Sequence, residues 1–165
     1  MNYTTNQAKD ILTLADNYAK KFSTCKKTSV GCYIVAEDGW RTVLAKGCNR
    51  GEVSCKDEGC LRENTFGSNS KKHRAVCRCY GNHAEQDALK NVPSNRQHQL
   101  RGASVFVTRY PCDECAKALI EAGVKLIVYG REFPVSPEAA EWFTDAGIEV
   151  VHMADWNCDT NDTNN

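Results

Sequence analysis

Two short runs in this chain can do chemistry: His83-Ala84-Glu85 and, further along, Pro111-Cys112-Asp113-Glu114-Cys115. Together they offer one imidazole, two thiols and a carboxylate that a metal centre does not need as a ligand. Three soft donors of this kind hold a zinc ion in a tetrahedron and leave its fourth position to water, whose pKa the metal lowers to about 7. A carboxylate two residues beyond the histidine is placed to take that water's proton and pass it to a ring nitrogen and then to a leaving amine. Cys-x-x-Cys alone also occurs in structural zinc ribbons and redox pairs. The pairing with His-x-Glu favours catalysis, because a closed structural site wants a fourth ligand and has no use for a free carboxylate. His83, Cys112 and Cys115 are therefore expected to be zinc ligands, and Glu85 the proton shuttle.

A second set of soft donors, Cys55, Cys60, His73, Cys77 and Cys79, falls in the segment just before His83. That segment has few apolar residues with which to fold itself, so a structural zinc is the expected reason for the cluster. Cys55, Cys60 and Cys77 are the first three ligands. Cys79 is chosen as the fourth, with His73 and Cys25 as alternatives, since Cys-x-Cys is tighter than the usual chelate spacing. Cys32 and Cys48 read as buried thiols within strands, and Cys158 as incidental. The chain has ten cysteines. Its N-terminus, Met1 to Gln7, is polar and lacks the apolar stretch of a secretory signal, so reduced thiols, metal binding and a cytoplasmic location are expected rather than disulfides.

Elements must position these groups. Ala8, Ile11, Leu12, Ala15, Tyr18, Ala19 and Phe22 recur at helical spacing after Thr4 and Thr5, which predicts a first helix from about Asn6 to Phe22. Val30 to Ala36 and Thr42 to Cys48 flank Glu37-Asp38-Gly39-Trp40 and read as a hairpin. Residues 49 to 82 lose periodicity and read as one long functional loop. Asn82 is expected to cap a helix carrying His83, Glu85, Ala88 and Leu89, ended before Pro93. Strands at Ala103 to Thr108, Leu126 to Tyr129 and Glu149 to His152 alternate with helices, one starting near Pro111 and one over Pro137 to Ala146. That alternation implies an α/β sandwich.

With 165 residues, one domain over 1–154 is expected. The end, 155–165, is rich in Asp, Asn and Thr and reads as a frayed tail. Lys plus Arg and Asp plus Glu number 21 each, giving zero net charge. A protein that grips long nucleic acid usually carries a basic excess, so a nucleic-acid substrate is disfavoured. No stretch approaches the ~20 apolar residues of a membrane span.

The two motifs, with Thr108-Arg109-Tyr110-Pro111-Cys112-Asp113-Glu114-Cys115-Ala116-Lys117 and His83-Ala84-Glu85-Gln86-Asp87-Ala88-Leu89 at their centre, resemble the cytidine deaminase superfamily and, within it, the deoxycytidylate deaminases. Val30-Gly31-Cys32-Tyr33-Ile34-Val35 resembles the opening strand and Gly47-Cys48-Asn49 the substrate loop. The resemblance implies a three-layer α/β/α sandwich with a five-stranded mixed sheet. It implies zinc-dependent hydrolysis of dCMP to dUMP and ammonia, supplying dUMP for thymidylate synthesis. It places Asn49 against the sugar, although a turn residue bonded to its own backbone is the plainer reading of that position. The backbone at Ala84 would meet the base.

A phosphate-binding segment would correspond to Ser23-Thr24-Cys25-Lys26-Lys27, where Thr24 stands in place of the family's basic residue. Ser23 and Lys27 are the candidate contacts, with Lys26 as a further source of charge. Gly59-Cys60-Leu61 and Cys55 resemble the branch that carries an additional zinc. Homo-oligomers, often hexamers, and control by dCTP and dTTP are also implied, although Asn49-Arg50-Gly51-Glu52-Val53 lacks the family's proline-containing effector loop. The competing functions are deamination of cytidine, deoxycytidine or a transfer-RNA adenosine, and a zinc-stabilised regulatory module without catalysis.

Overall fold

The computed structural model describes residues 4–64, 75–132 and 137–156. Helix α1 (Thr5–Phe22) starts at a capping box: Thr4 Oγ1 accepts the Gln7 N–H at 3.2 Å, and Gln7 Oε1 accepts the Thr4 N–H at 3.1 Å. The reciprocal pair satisfies two backbone donors that the first turn leaves open. Strands β1 (Gly31–Val35) and β2 (Val43–Cys48) form the expected hairpin. In its turn the Asp38 carboxylate accepts the Arg41 and Thr42 N–H groups, while Gly39 and Trp40 take positive φ.

The segment expected to be one loop contains a short helix, α2 (Cys55–Glu58), and a 3-10 turn at Leu61–Asn64. His73 lies outside the described residues. Helix α3 (Ala84–Asn91) ends before Pro93 as predicted, but its N-cap is His83 rather than Asn82. The Asn82 amide instead donates to the Arg50 carbonyl at 2.9 Å and to Asp87 at 3.3 Å. Strand β3 (Ser104–Val107), helix α4 (Asp113–Ala122), strand β4 (Leu126–Tyr129), helix α5 (Pro137–Asp145) and strand β5 (Glu149–His152) follow.

The sheet order is β2-β1-β3-β4-β5, antiparallel across the β2-β1 and β1-β3 pairs and parallel from β3 to β5. Side chains alternate between two faces, as a pleated strand requires. Tyr33, Val35, Phe106 and Val128 pack against Ala8, Leu12 and Ala15 of α1. Cys32, Ile34, Val105, Val107 and Ile127 pack against Ala84 and Ala88 of α3, Ala116 and Leu119 of α4, and Ala139 and Phe143 of α5. The result is the three-layer α/β/α sandwich with a mixed five-stranded sheet.

One close approach decides where the site falls. A Cβ at Gly47 would overlap the backbone of Ala84 and Ala88, so only glycine lets α3 lie directly on β2. Of the expected tail, Trp156 packs beside Trp40, with ring centroids 5.9 Å apart, and 157–165, with Cys158, lie outside the described residues. Among the described residues, no helix is long and apolar enough to cross a membrane.

Candidate active site

His83 and Cys112 are the N-cap residues of α3 and α4, and Cys115 sits in the first turn of α4. Both helices lie on the same face of the sheet, so their N-termini bring the two motifs together from 29 and 32 residues apart. The His83 N–H donates to Gln86 Oε1 at 3.0 Å, which fixes the backbone at the cap. Cys112 Sγ lies 3.4 Å and Cys115 Sγ 3.6 Å from His83 Nδ1, and all three donor atoms fall within 4.8 Å of one another.

The charges of the three donors respond to this crowding. The Cys115 thiol, donating to Cys112, holds the Cys112 thiol down to about 4, and the Cys115 backbone N–H adds to the effect. Its own pKa is driven up by the same contact and by burial. The Cys112 thiolate raises the pKa of His83. One imidazole nitrogen and two sulfurs sharing protons at this spacing are the donor set of a soft divalent cation, and zinc fits them. Glu85 stands beside the sulfurs and is not needed as a ligand. Burial, reinforced by the Cys112 thiolate, pushes its carboxyl up to about 7, in the range suited to proton transfer.

A cavity of about 300 Å³ opens beside these donors, with His83, Ala84, Glu85 and Cys112 in its wall. Asn49 lines it too, but most of its amide is already engaged. Oδ1 accepts from the Val30 N–H at 2.9 Å and the Ser23 hydroxyl at 2.7 Å, while Nδ2 donates to the Thr28 carbonyl at 3.0 Å. The Val30 N–H requires an oxygen, so this network sets the orientation of the amide and leaves one Nδ2 hydrogen over. Asn49 is thus both a structural tie and a cavity-lining donor.

Ser23, expected at the substrate, is buried beneath Asn49 and does not line the cavity; its hydroxyl is committed to Asn49. Thr24 is turned toward the long loop, where its hydroxyl accepts the Gly51 N–H at 2.9 Å and its carbonyl the Cys55 N–H at 3.0 Å. Lys27 does line the cavity, whereas Lys26 pairs with Glu63 at 3.5 Å.

Sequence reasoning missed Arg62, Arg109 and Tyr110 in the cavity wall, and Asp87, which is buried and does not line it. Buried Asp87 accepts the Cys48 N–H at 3.0 Å and pairs with Arg50 at 2.9 Å, tying α3 to the end of β2. Its position two residues after Glu85, on a helix packed against the sheet, is the one signal that would have found it.

Neither the four thiols expected to form a second metal set nor the trio Cys25, Cys77 and Cys79 converges as closely as the first three donors. Among the described residues, the donor atoms that converge within 4.8 Å are those of His83, Cys112 and Cys115. Cys79 instead lies between Cys25 and Cys77, its thiol hydrogen-bonded to both. These contacts, the largest influence on each neighbour, lower Cys25 to about 5 and Cys77 to about 6 and drive Cys79 up. Next to Cys25, Thr24 is bonded to Gly51 and Cys55 of the long loop. Cys55 and Cys60 are buried close by, and Cys55 feels the charges of Cys25, Cys60 and Cys77. Cys25, Cys77 and Cys79 all line the same cavity as Glu85.

Residues 5–131 match the family described as the cytidine and deoxycytidylate deaminase zinc-binding region. The chain is similar to ComE operon protein 2 of Bacillus subtilis strain 168, 34% identical over 139 residues that cover 79% of this chain and 63% of that one. It is similar to the deoxycytidylate deaminase of Schizosaccharomyces pombe, 30% identical over 135 residues covering 80% of this chain and 39% of the relative. The chain thus spans less than two thirds of the length of these curated relatives. Its fold is shared by the dCMP deaminase of cyanophage S-TIM5, solved in complex with dCMP and dUMP, with a TM-score of 0.62 at 23% identity over 89% of this chain and 96% of that one. With both zinc motifs inside the matched region and their donors converging in space, this chain belongs to the cytidine and deoxycytidylate deaminase zinc-binding family.

Proposed function

We propose that this chain hydrolyses dCMP to dUMP and ammonia. The observation that carries the reading is the convergence of His83, Cys112 and Cys115 with buried Glu85 beside them in the wall of one cavity. In this reading the imidazole and the two thiolates hold zinc. Bound there, zinc supplies a water acidic enough to act as hydroxide near neutral pH. Glu85 takes the water's proton and delivers it to N3 of the cytosine as the oxygen adds at C4, then takes the remaining proton of that oxygen and passes it to the 4-amino group as the C–N bond breaks and the C4 carbonyl forms. Water and dCMP thereby become dUMP and ammonia. The backbone at Ala84 faces the base, and the remaining Asn49 amide hydrogen is available to a sugar oxygen.

The same reading assigns a second, structural zinc to Cys25, Cys77 and Cys79, supported by the thiol contacts that link them, with buried Cys55 within electrostatic reach. Reduced thiols and a free nucleotide substrate suit the cytoplasm. Association of several copies, and control by dCTP or dTTP, are supported by exposed Val53, Leu61, Val76 and Tyr80 around a second hollow that also holds Arg50, Arg78 and Lys90.

Ammonia release from dCMP, deoxycytidine, cytidine and a transfer-RNA anticodon stem tests the reading. dCMP is expected to be turned over fastest, and absence of dCMP turnover overturns it.

A further inference from the structure

Helix α3 carries His83 at its cap and Glu85 in its first turn, and polar ties lace it to the strand it lies on. Asn91 Nδ2 donates to the Lys46 carbonyl at 3.0 Å, Asp87 Oδ2 accepts the Cys48 N–H at 3.0 Å, and Asn82 Nδ2 donates to the Arg50 carbonyl at 2.9 Å. These ties run in order from the far end of the helix to the residue before His83. The middle one stands apart, because its acceptor is a buried carboxylate.

Each oxygen of that carboxylate takes two donors. Oδ2 accepts the Cys48 N–H and meets Arg50 Nη2 at 2.9 Å, while Oδ1 accepts Arg50 Nε at 3.2 Å and Asn82 Nδ2 at 3.3 Å. The fork of a guanidinium on a carboxylate adds direction as well as strength. Asp87 thereby holds residues 48 and 50, on either side of Asn49, and residue 82, next to His83. It does so from two residues beyond Glu85. The Asn49 amide is set separately, by Ser23, Thr28 and Val30, so the Asp87 bonds act on the backbone that carries it.

Stability is a poor reason for such an arrangement. Ala84 and Ala88 in the core, and the close approach at Gly47, already seat α3 on the sheet. Taking a charge pair out of water offsets much of the attraction gained, so a buried pair adds little to the fold. A fully bonded carboxylate does fix distances between the segments that it joins.

We infer that Asp87, paired with Arg50, is a positioning residue for the reaction, setting Asn49 and His83 against Glu85. This rests on the reading of the chain as a cytosine-nucleotide deaminase. The test sets Asp87→Asn beside Asn91→Ala, which cuts the tie at the far end of the same helix, outside the cavity wall. Whichever way an amide turns at position 87, its NH2 group faces two of the donors, so the volume is kept and the arrangement lost. In zinc-loaded protein, Asp87→Asn is expected to lower kcat for dCMP by about tenfold to a hundredfold, more than it raises KM, as a displaced reacting geometry does. Asn91→Ala should keep kcat within about twofold. Adding Arg50→Gln to Asp87→Asn gives the amide an acceptor and should recover part of kcat. Losses of kcat that follow the fall in Tm equally in both single variants, or a kcat for Asp87→Asn within about twofold of wild type, overturn the role.

Should Asp87→Asn fail to fold, Arg50→Gln alone decides. It leaves Cys48 and Asn82 on the carboxylate and is expected to lower kcat about three- to tenfold, and an unchanged kcat overturns the role. Calorimetric titration with dUMP needs no turnover: Asp87→Asn should weaken binding at least about threefold and Asn91→Ala should not. If the wild type binds dUMP but turns over no dCMP, the deamination reading falls and the titration decides the positioning role by itself. If it does neither, both fall.

Discussion

Two sulfur clusters open on one cavity, and they are mounted in opposite ways. His83, Cys112 and Cys115 sit at the N-termini of α3 and α4, helices whose buried faces are packed into the main core. Gly47 lets α3 rest on the backbone of β2, so the position of His83 and Glu85 is set by the sheet itself. Cys25, Cys77 and Cys79 ride on irregular chain held by hydrogen bonds, among them those of Thr24, Arg78 and Asn82, and by the thiols' own contacts. Groups that must hold a reacting geometry to a fraction of an ångström belong on packed elements. A loop with little apolar surface can instead use a metal as its core. The first cluster is positioned by the fold, and the second is expected to position part of the fold.

The sharpest separation comes from chemistry that only the first cluster should perform. Glu85→Gln removes the proton carrier and leaves all three proposed ligands in place. Turnover of dCMP is expected to fall by about 10²–10⁴-fold, the usual contribution of a positioned acid-base group, with zinc content unchanged. Steady-state rates and metal analysis on the same preparation check it. Retained activity would remove Glu85 from the mechanism and with it the distinction between the clusters.

The second cluster should respond in stability and metal content. Wild-type protein is expected to hold about two zinc ions per chain, and Cys79→Ser about one, with a fall in Tm of several degrees, since loss of a structural metal removes folding free energy. Metal analysis with thermal unfolding measures both. About one zinc in the wild type would mean that the three thiols are held together without a metal.

Legibility in the sequence followed the same division. His83, Glu85, Cys112 and Cys115 could be read because their spacing is local and each pair stands at a helix start, where Pro111 and the following apolar pattern mark the element. β4 and β5 could be read to the residue, as apolar runs buried or half-buried on the sheet. Cys25 could be offered only as an alternative. Its contacts with Cys79 join two irregular segments, and no periodicity encodes a contact of that kind. Arg62 and Arg109 were hidden for the same reason: a charged residue outside the packed helices and strands looks like solvated surface until the chain returns to make a cavity wall. Ser23 was assigned to the substrate from its place in a motif, but its burial under Asn49 depends on β2 ending where it does.

Ser23 ties Asn49 in the cavity wall to the second cluster, and so offers the finest test of whether that cluster reaches the reacting groups. Its hydroxyl reaches Asn49 Oδ1 at 2.7 Å and accepts the Cys25 N–H at 3.3 Å, so one buried oxygen links the cavity-lining amide to the loop that carries the first thiol. Ser23→Ala leaves the Val30 N–H as the remaining partner of Asn49 Oδ1 and takes away the hydroxyl acceptor of the Cys25 N–H. The cost of leaving buried groups unmatched is about 1–3 kcal/mol, which chemical denaturation reads directly. In kinetics, a loosened Asn49 should weaken ground-state binding more than the chemical step, because Glu85 and the three donors are anchored elsewhere. KM for dCMP is expected to rise about three- to tenfold with kcat changed less, the pattern of lost uniform binding. A matching fall in kcat would mean that disturbance of the second cluster's loop reaches Glu85, and that the packed helices do not insulate the reacting groups from it.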